Sequence, residues 1–334
     1  SEERVNTILK EASTDRDADP SSLAFKIGAF YRSGMDSAAV QEAGLEALRP
    51  QLDRIDAISN QEELLETLAY LHQNGIGGGF SFYVGQDRKN SERYIINMGT
   101  GGMGLPDKDY YLSESPDRVE IREQYTAYLE RLLDLMGEQK VLETNLAEAS
   151  FDRVTRRDPD TTYNIYTLPE FMDRSPLPWT TYFSGLGIQE IGDLNITQPL
   201  YFDRVGEIVD GYPLEDWKTY LKVSAVRGLA GTLSRPFVEA SFEFYSKTLR
   251  GTEQIKPRWK RVTSATNGAL GMGIGKLYVE QYFDAEAKEI ALRMVENILD
   301  VMKMRLENLD WMSVETRKEG IRKLNTIMPK IGYP

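Results

Sequence analysis

The chain has 334 residues and carries 52 acidic against 40 basic side chains, which gives a net charge of −12 at neutral pH. This balance excludes an ordinary nucleic-acid-binding protein, since binding to phosphates needs a basic surface. The sequence contains no cysteine, which excludes disulfides, thiolate nucleophiles and cysteine-ligated metal sites. No apolar run approaches the roughly 18 residues of a membrane span, so we expect no span in this chain.

The first predicted elements are helices. Apolar residues recur at helical spacing over residues 22–58, and Asn60 with Glu63 forms a capping-box pattern that starts another helix. The single histidine, His72, falls in the last turn of that helix, where the negative helix end favours a cationic imidazole. Its spacing from Leu68 places it near the apolar face. We therefore favour a structural role for His72 over a catalytic one.

Two short β-like runs follow at residues 80–84 and 94–98, and the polar turn between them predicts a β-hairpin. The next segment, Gly99-x-Gly101-x-x-Gly104, matches a dinucleotide-binding fingerprint. A proline and two aspartates come next, where a nucleotide site needs a helix N-terminus for the pyrophosphate. The glycine segment is therefore predicted to be an architectural turn.

The rest of the chain is predicted to be mainly helical. Apolar stripes predict helices at residues 116–136 and 138–157. Further helices begin near Thr167, Pro213, Pro236, Pro257, Asp284 and Trp311. Asp284 is the predicted cap of a long helix whose apolar residues include Ile290, Met294, Ile298 and Val301. Residues 175–199 are rich in proline, glycine and aromatic residues, which marks a long connection. The sequence predicts a mainly α fold: one large multi-helix lobe over residues 1–334, with a small β-hairpin near residues 80–98 and a candidate internal boundary around 175–199.

Known catalytic motifs are missing from the sequence. A zinc-binding His-Glu-x-x-His helix needs two histidines one turn apart, and this chain has one histidine in total. Paired carboxylates such as Asp107 and Asp109 could perform acid–base chemistry, but without a cleft they are no better candidates than the other acidic residues. The one Asn-x-Thr sequon, Asn195-Ile-Thr197, is too short to indicate glycosylation by itself.

Several segments of the chain are similar to those of one known family. Lys89-Asn90-Ser91 is followed by Gly104-Leu105-Pro106-Asp107-Lys108-Asp109-Tyr110-Tyr111, and together they resemble the KNS…GLPxRDYY signature of the neprilysin-like zinc peptidases, the M13 family. Further similar segments follow the family's order and lie at residues 25–36, 157–164, 241–252, 257–261, 275–280, 309–312 and 330–334. The resemblance covers nearly the whole chain.

The resemblance implies a mainly helical lobe that limits access to a zinc site. In this family the Lys-Ile-Gly-Tyr-Pro step, here residues 330–334, lies upstream of the substrate-holding motif, the His-Glu-x-x-His helix and the third, glutamate ligand. No catalytic, cofactor-binding or metal-binding residue is therefore carried over to this chain. The resemblance places the zinc ion in a missing C-terminal lobe, supplied as a second chain, a cleaved remainder or a deleted region. That lobe and oligopeptide substrates are the expected partners.

Two functions stay open at this point. One is the non-catalytic, chamber-forming portion of a zinc metalloendopeptidase that cleaves oligopeptides. The alternative is a stand-alone helical module that binds peptides or proteins without catalysis. Only the first predicts an exposed apolar surface of partner size, larger than the patches usual for a monomer. From the resemblance and the lack of cysteines we expect an extracytoplasmic location and a bacterial rather than a eukaryotic source.

Overall fold

The computed structural model describes residues 2–15, 18–136 and 144–333. Most of these residues are helical, which confirms the predicted mainly α fold. The α-helices in the described residues are α1 (Glu2–Thr14), α2 (Leu23–Met35), α3 (Ser37–Ala43), α4 (Arg49–Asp56), α5 (Gln61–Gln73), α6 (Lys108–Leu112), α7 (Pro116–Met136), α8 (Thr144–Ala149), α9 (Leu168–Arg174), α10 (Trp179–Gly185), α11 (Pro199–Gly211), α12 (Leu214–Leu229), α13 (Arg235–Ser241), α14 (Arg258–Tyr282), α15 (Ala285–Glu307) and α16 (Val314–Asn325).

A small sheet joins four short strands: β1 (Phe80–Gln86), β2 (Tyr94–Thr100), β3 (Ile165–Tyr166) and β4 (Leu194–Ile196). The strand order is β1-β2-β4-β3, with β2 and β4 parallel and the two outer pairs antiparallel. The predicted hairpin is confirmed as β1 and β2. The sequence did not reveal β3 and β4, because strands of two or three residues are too short to show an alternating pattern.

The sequon asparagine lies at the centre of the sheet. Register places Asn195 of β4 beside Asn97 of β2, and the Asn195 amide donates to the Asn97 side-chain oxygen at 2.9 Å. The Asn195 side-chain oxygen accepts from the Asn164 backbone N–H at 2.8 Å. Only 1% of Asn195 is exposed. An oligosaccharide cannot be attached to this side chain while the sheet is intact.

The chain divides into two compact units. The first unit comprises Ser1–Ser37 with Lys256–Pro334, and the second comprises Ala38–Ile255. Residues 175–199, the candidate boundary of the sequence, lie inside the second unit and supply three fully buried aromatic side chains to its core: Trp179, Tyr182 and Phe183. The idea that the whole chain forms one lobe stays a prediction.

The core of the first unit lies between α1, α2 and α14. Leu9, Ile27 and Ile274 are buried there against one another. A Cβ on Gly28 would overlap the backbone carbonyl of Ala12, so the close approach of α1 and α2 requires glycine at this position.

The second unit contains two hydrophobic clusters. One surrounds the sheet and includes the buried Trp179 and Trp217. The other lies between α7, α13 and a π-helical segment, Phe242–Thr248, where Phe244 stacks on Tyr128 with ring centroids 5.3 Å apart. The π-helical turn was not predicted, because the 3.6-residue pattern does not distinguish it from an ordinary helix.

The predicted helix over residues 138–157 is only partly present. Residues 137–143 lie outside the described residues, and α8 ends at Ala149, so the prediction is wrong from residue 150 onward. The Asp152 carboxylate accepts the backbone N–H groups of Val154 and Thr155 at 2.8 and 3.0 Å. A short acidic side chain thus offers the backbone a turn that competes with the helix.

Candidate functional site

His72 is held as a neutral, structural side chain. Its Nδ1 lies 2.7 Å from the Tyr182 hydroxyl and its Nε2 lies 3.1 Å from the Gly78 carbonyl oxygen. Burial lowers the pKa of His72 from 6.5 to about 4, and the hydrogen bond to Gly78 opposes this change only in part. The sequence favoured a cation because the residue ends a helix, but desolvation by the surrounding aromatic rings is the larger effect.

One carboxylate of the pair in the Leu-Pro segment, Asp107, forms a helix cap, and the other, Asp109, is exposed. Asp107 is the N-cap of α6, and its side chain accepts the backbone N–H of Asp109 at 3.1 Å. Asp107 is buried, with 7% of its surface exposed. A capping carboxylate whose acceptor oxygen is occupied serves the fold, and this geometry does not favour acid–base chemistry at Asp107.

The glycine segment is an architectural turn held by side chains of the second unit. Gly102 has a φ of +79°, a backbone conformation that favours glycine. Its carbonyl oxygen accepts from the Tyr220 hydroxyl and from Arg227 Nη2, both at 3.0 Å. The Tyr111 hydroxyl accepts the backbone N–H groups of Gly104 and Leu105 at 3.0 and 2.9 Å. These contacts leave the turn closed by protein groups, which is the arrangement of a scaffold.

The hairpin turn before that segment is organised by one buried carboxylate. Asp87 accepts the Lys89 backbone N–H at 2.9 Å, the Tyr163 hydroxyl at 2.8 Å and Arg93 Nε at 2.7 Å. The hydrogen bond from the Lys89 N–H is the largest cause that holds the pKa of Asp87 at about 2, and Tyr163 and Arg93 contribute less. Burial acts in the opposite direction. The segment from Lys89 to Ser91, which carries the family resemblance, is therefore a structural turn.

The described side chains do not fit the ligand set of a peptidase zinc ion. Both ring nitrogens of His72 face protein oxygens, as given above. Over residues 2–15, 18–136 and 144–333, no group of three or more histidine, aspartate or glutamate side chains is placed to hold a metal ion. We therefore derive no chemical step of this chain through zinc. No helix in these ranges combines the length and the apolar composition that a membrane span requires.

The first unit carries an unusual exposed surface on α15. The N-cap Asp284 accepts the Ala287 backbone N–H at 2.8 Å, so the predicted cap is confirmed. None of the 23 residues of α15, all of them described, is buried. Large apolar side chains lie in solvent along one side of the helix: Ile290, Met294, Ile298, Val301 and Met304. We call these five residues the bare side of α15.

The opposite side of α15 is apolar as well, and it is partly covered. Leu292, Val295, Leu299 and Leu306 are half-buried. Lys288 donates from Nζ to the Tyr333 carbonyl oxygen at 2.8 Å, and Leu306 packs beside Gly320 of α16. A helix that is apolar on both sides is typical of one that is covered on both. In this structure α15 is covered on one side only.

Exposed apolar side chains are also frequent before and after α15 in the sequence. More than half of the exposed large apolar side chains in the described residues lie within residues 272–328. Trp311 and Met328, which flank α16, are 77% and 76% exposed. Exposed apolar residues scattered singly are ordinary, but so many in one part of the chain indicate an interaction surface.

Sequence reasoning identified the stripe of Ile290, Met294, Ile298 and Val301 as the mark of a helix but did not identify it as an interaction surface. One available signal was missed. Leu299 and Leu306 follow Leu292 at intervals of seven residues and trace a second apolar stripe on the opposite side of the same helix. Two opposite stripes on one helix predict two covering surfaces.

Comparison with known proteins gives the family. The sequence profile of peptidase family M13 matches residues 1–334. Endothelin-converting enzyme-like 1 of Homo sapiens is 29% identical over 339 residues, which cover 92% of this chain and 43% of that protein. An endothelin-converting enzyme homolog of Locusta migratoria is 30% identical over 296 residues, which cover 82% of this chain and 40% of that protein.

A solved structure agrees in both fold and sequence. The zinc metalloprotease Zmp1 of Mycobacterium tuberculosis, in complex with an inhibitor, superposes with a TM-score of 0.88 at 32% identity. The match covers 97% of this chain and 51% of that one. The chain thus spans about half the length, or less, of these relatives. It belongs to peptidase family M13, the neprilysin-like zinc metallopeptidases, and corresponds to the N-terminal domain of that family.

Proposed function

We propose that this chain is the non-catalytic, chamber-forming portion of a zinc metalloendopeptidase that cleaves oligopeptides. The zinc-bearing C-terminal lobe, which lies outside these 334 residues, covers the bare side of α15. The observation that carries the proposal is that bare side itself, in a helix of which no residue is buried. A stand-alone module gives no reason to keep five large apolar side chains in water.

Energetics favour a covered α15. Each of the five side chains on its bare side is 44–62% exposed. Completing the burial of one such side chain stabilises by about 1 kcal/mol, so covering all five contributes about 5 kcal/mol before the cost of association. That contribution is large enough to hold two lobes together when both belong to one polypeptide.

The proposed role of this chain in peptide cleavage is steric. Its helices restrict entry to the metal site, so that flexible oligopeptides reach it and folded proteins do not. The zinc ion, the general base and the groups that hold substrate belong to the C-terminal lobe. An extracytoplasmic location goes with this proposal, as the family resemblance implies.

The test is to purify this chain under native conditions from the cells that make it, through an affinity tag at its N-terminus. We expect the purified material to include a polypeptide with a His-Glu-x-x-His helix, either continuous with this chain or as a second chain. It should contain about one zinc per complex and cleave a fluorogenic oligopeptide. Chelation should abolish cleavage, and added zinc should restore it.

Two outcomes contradict the proposal. Cleavage by these 334 residues alone, unaffected by chelator, would remove the need for a zinc-bearing lobe. A monomer of 334 residues, free of zinc and without peptidase activity in its native cells, would favour the stand-alone binding module.

A further inference from the structure

The bare side of α15 has an acidic border along one edge. Glu289, Glu296, Asp300 and Glu307 follow one another at spacings of seven, four and seven residues, which brings them onto one strip of the helix surface. All four are exposed. Glu286 lies at the same edge. The basic Arg293 and Lys303 interrupt the strip, but the strip as a whole keeps a net negative charge. We call this strip the acidic border.

Arg293 and Lys303 offset part of the charge of the acidic border, and its acidic side chains stay unpaired within the described chain. None of its residues forms an ion pair there, in contrast to exposed acids of the second unit such as Glu239, which lies 2.6 Å from Arg235. Glu296 and Asp300 are like charges one helical turn apart, an arrangement that destabilises a helix slightly. A strip of charge beside exposed apolar side chains is the usual border of a protein interface.

We infer that the surface covering α15 is an apolar ridge with a basic border, and that its lysine or arginine side chains lie along the acidic border. The inference rests on the proposed function, because it takes the C-terminal zinc-bearing lobe as the occupant. Apolar contact supplies most of the affinity, and the charged strip fixes how the ridge is oriented on the helix.

A second copy of this chain is a poorer occupant. Two copies of α15 that pack antiparallel about a twofold axis place the same edge of each helix together. The acidic border of one copy would then face that of the other. Like charges in that position oppose association, so charge complementarity selects a different, basic surface.

The experiment measures amide hydrogen exchange in α15 within the zinc-containing assembly, for three variants and the unmodified protein. Glu296→Lys reverses one charge of the acidic border. Glu280→Lys is the matched control, because Glu280 is an exposed glutamate of α14 in the same unit. Ile298→Asp tests whether the bare side is covered at all. Every variant is measured at about 0.05 M and about 0.5 M salt.

We expect Glu296→Lys to raise exchange of the α15 amides about fivefold at low salt, since an attraction becomes a repulsion. The difference from the unmodified protein should shrink at high salt, where exposed charges are screened. Glu280→Lys should leave exchange unchanged. Ile298→Asp should raise it strongly at both salt concentrations, because it introduces a charge into an apolar contact.

The two proposals fail in different ways. If Ile298→Asp raises exchange while Glu296→Lys matches its control, α15 is covered but the border opposite is not basic, and the present inference is wrong. If Ile298→Asp has no effect either, nothing covers the bare side, and the proposed function is wrong as well. If α15 is protected only in a self-dimer detected by light scattering, the occupant is a second copy and the inference is also overturned.

Discussion

At the scale of single residues, the glycine turn shows how tightly the second unit encloses its own backbone. Gly102 and Gly187 both have a φ of +79°. A Cβ on Gly102 would overlap the Tyr220 hydroxyl and lie 2.5 Å from the Gly79 backbone nitrogen, whereas nothing lies within 4 Å of a Cβ on Gly187. The two positions share this φ and differ in the space available to a side chain.

This pair gives a matched prediction. Gly187→Ala should lower the free energy of unfolding by about 1 kcal/mol, the cost of a left-handed backbone for an L-residue. Gly102→Ala adds a clash with fixed groups, so it should lower the same quantity by about 3 kcal/mol or more. Urea unfolding followed by circular dichroism measures both. Equal losses would mean that the turn relaxes freely and is not held by Tyr220.

His72 gives a prediction about pH. Burial lowers the pKa of His72 to about 4, whereas the unfolded chain keeps a value near 6.5. Between these two pH values the unfolded chain therefore binds more protons than the folded chain. Stability is full above pH 6.5 and falls as the pH is lowered, by about 2 kcal/mol between pH 7 and pH 5.

A single substitution tests this assignment, because the chain has one histidine. His72→Gln is uncharged at every pH, so its unfolding free energy should be nearly constant from pH 7 to pH 5. The low pKa of Asp87 does not interfere, since that carboxylate loses its stabilising effect only below its ordinary value of 3.8. An unchanged pH dependence in His72→Gln would assign the effect to other groups.

At the scale of elements, structure that depends on neighbouring residues was predicted better than structure that depends on contacts between distant segments. The β1–β2 hairpin and the capped start of α15 depend on neighbouring residues, so both could be predicted from the local sequence. Strands β3 and β4 exist because they pair with each other and with β2, and β2 lies about a hundred residues before β4. No local signal records such pairing. The bare side of α15 is a related case, because helical periodicity shows that a side is apolar without showing what covers it.

At the scale of the whole molecule, the family motifs were informative where physical patterns were not. Lys89-Asn90-Ser91 and the Gly104–Tyr111 segment identified the family by resemblance, yet the structure gives both segments structural roles in turns and caps. The division into two units could not be predicted, since the first unit joins the two ends of the chain across 218 intervening residues. Only long-range contacts define such a unit.

That division leads to a final prediction, about which part of the chain folds alone. The second unit, Ala38–Ile255, is continuous in sequence and contains both large hydrophobic clusters and the whole sheet. A fragment of residues 38–255 should therefore unfold cooperatively in urea. The slope of its unfolding free energy against urea concentration should be about two-thirds of the slope for the full chain, in proportion to length.

The matched control for this fragment is a truncation at the other boundary. Residues 256–333 contain α14, α15 and α16 but lack α1 and α2, which supply Leu9, Ile27 and Tyr31 to their shared core. This piece should be helical but uncooperative, because an amphipathic helix without its packing partner is only marginally stable. A broad transition with dye binding in the 38–255 fragment, or a sharp one in residues 256–333, would show that the two units do not fold along the boundaries seen here.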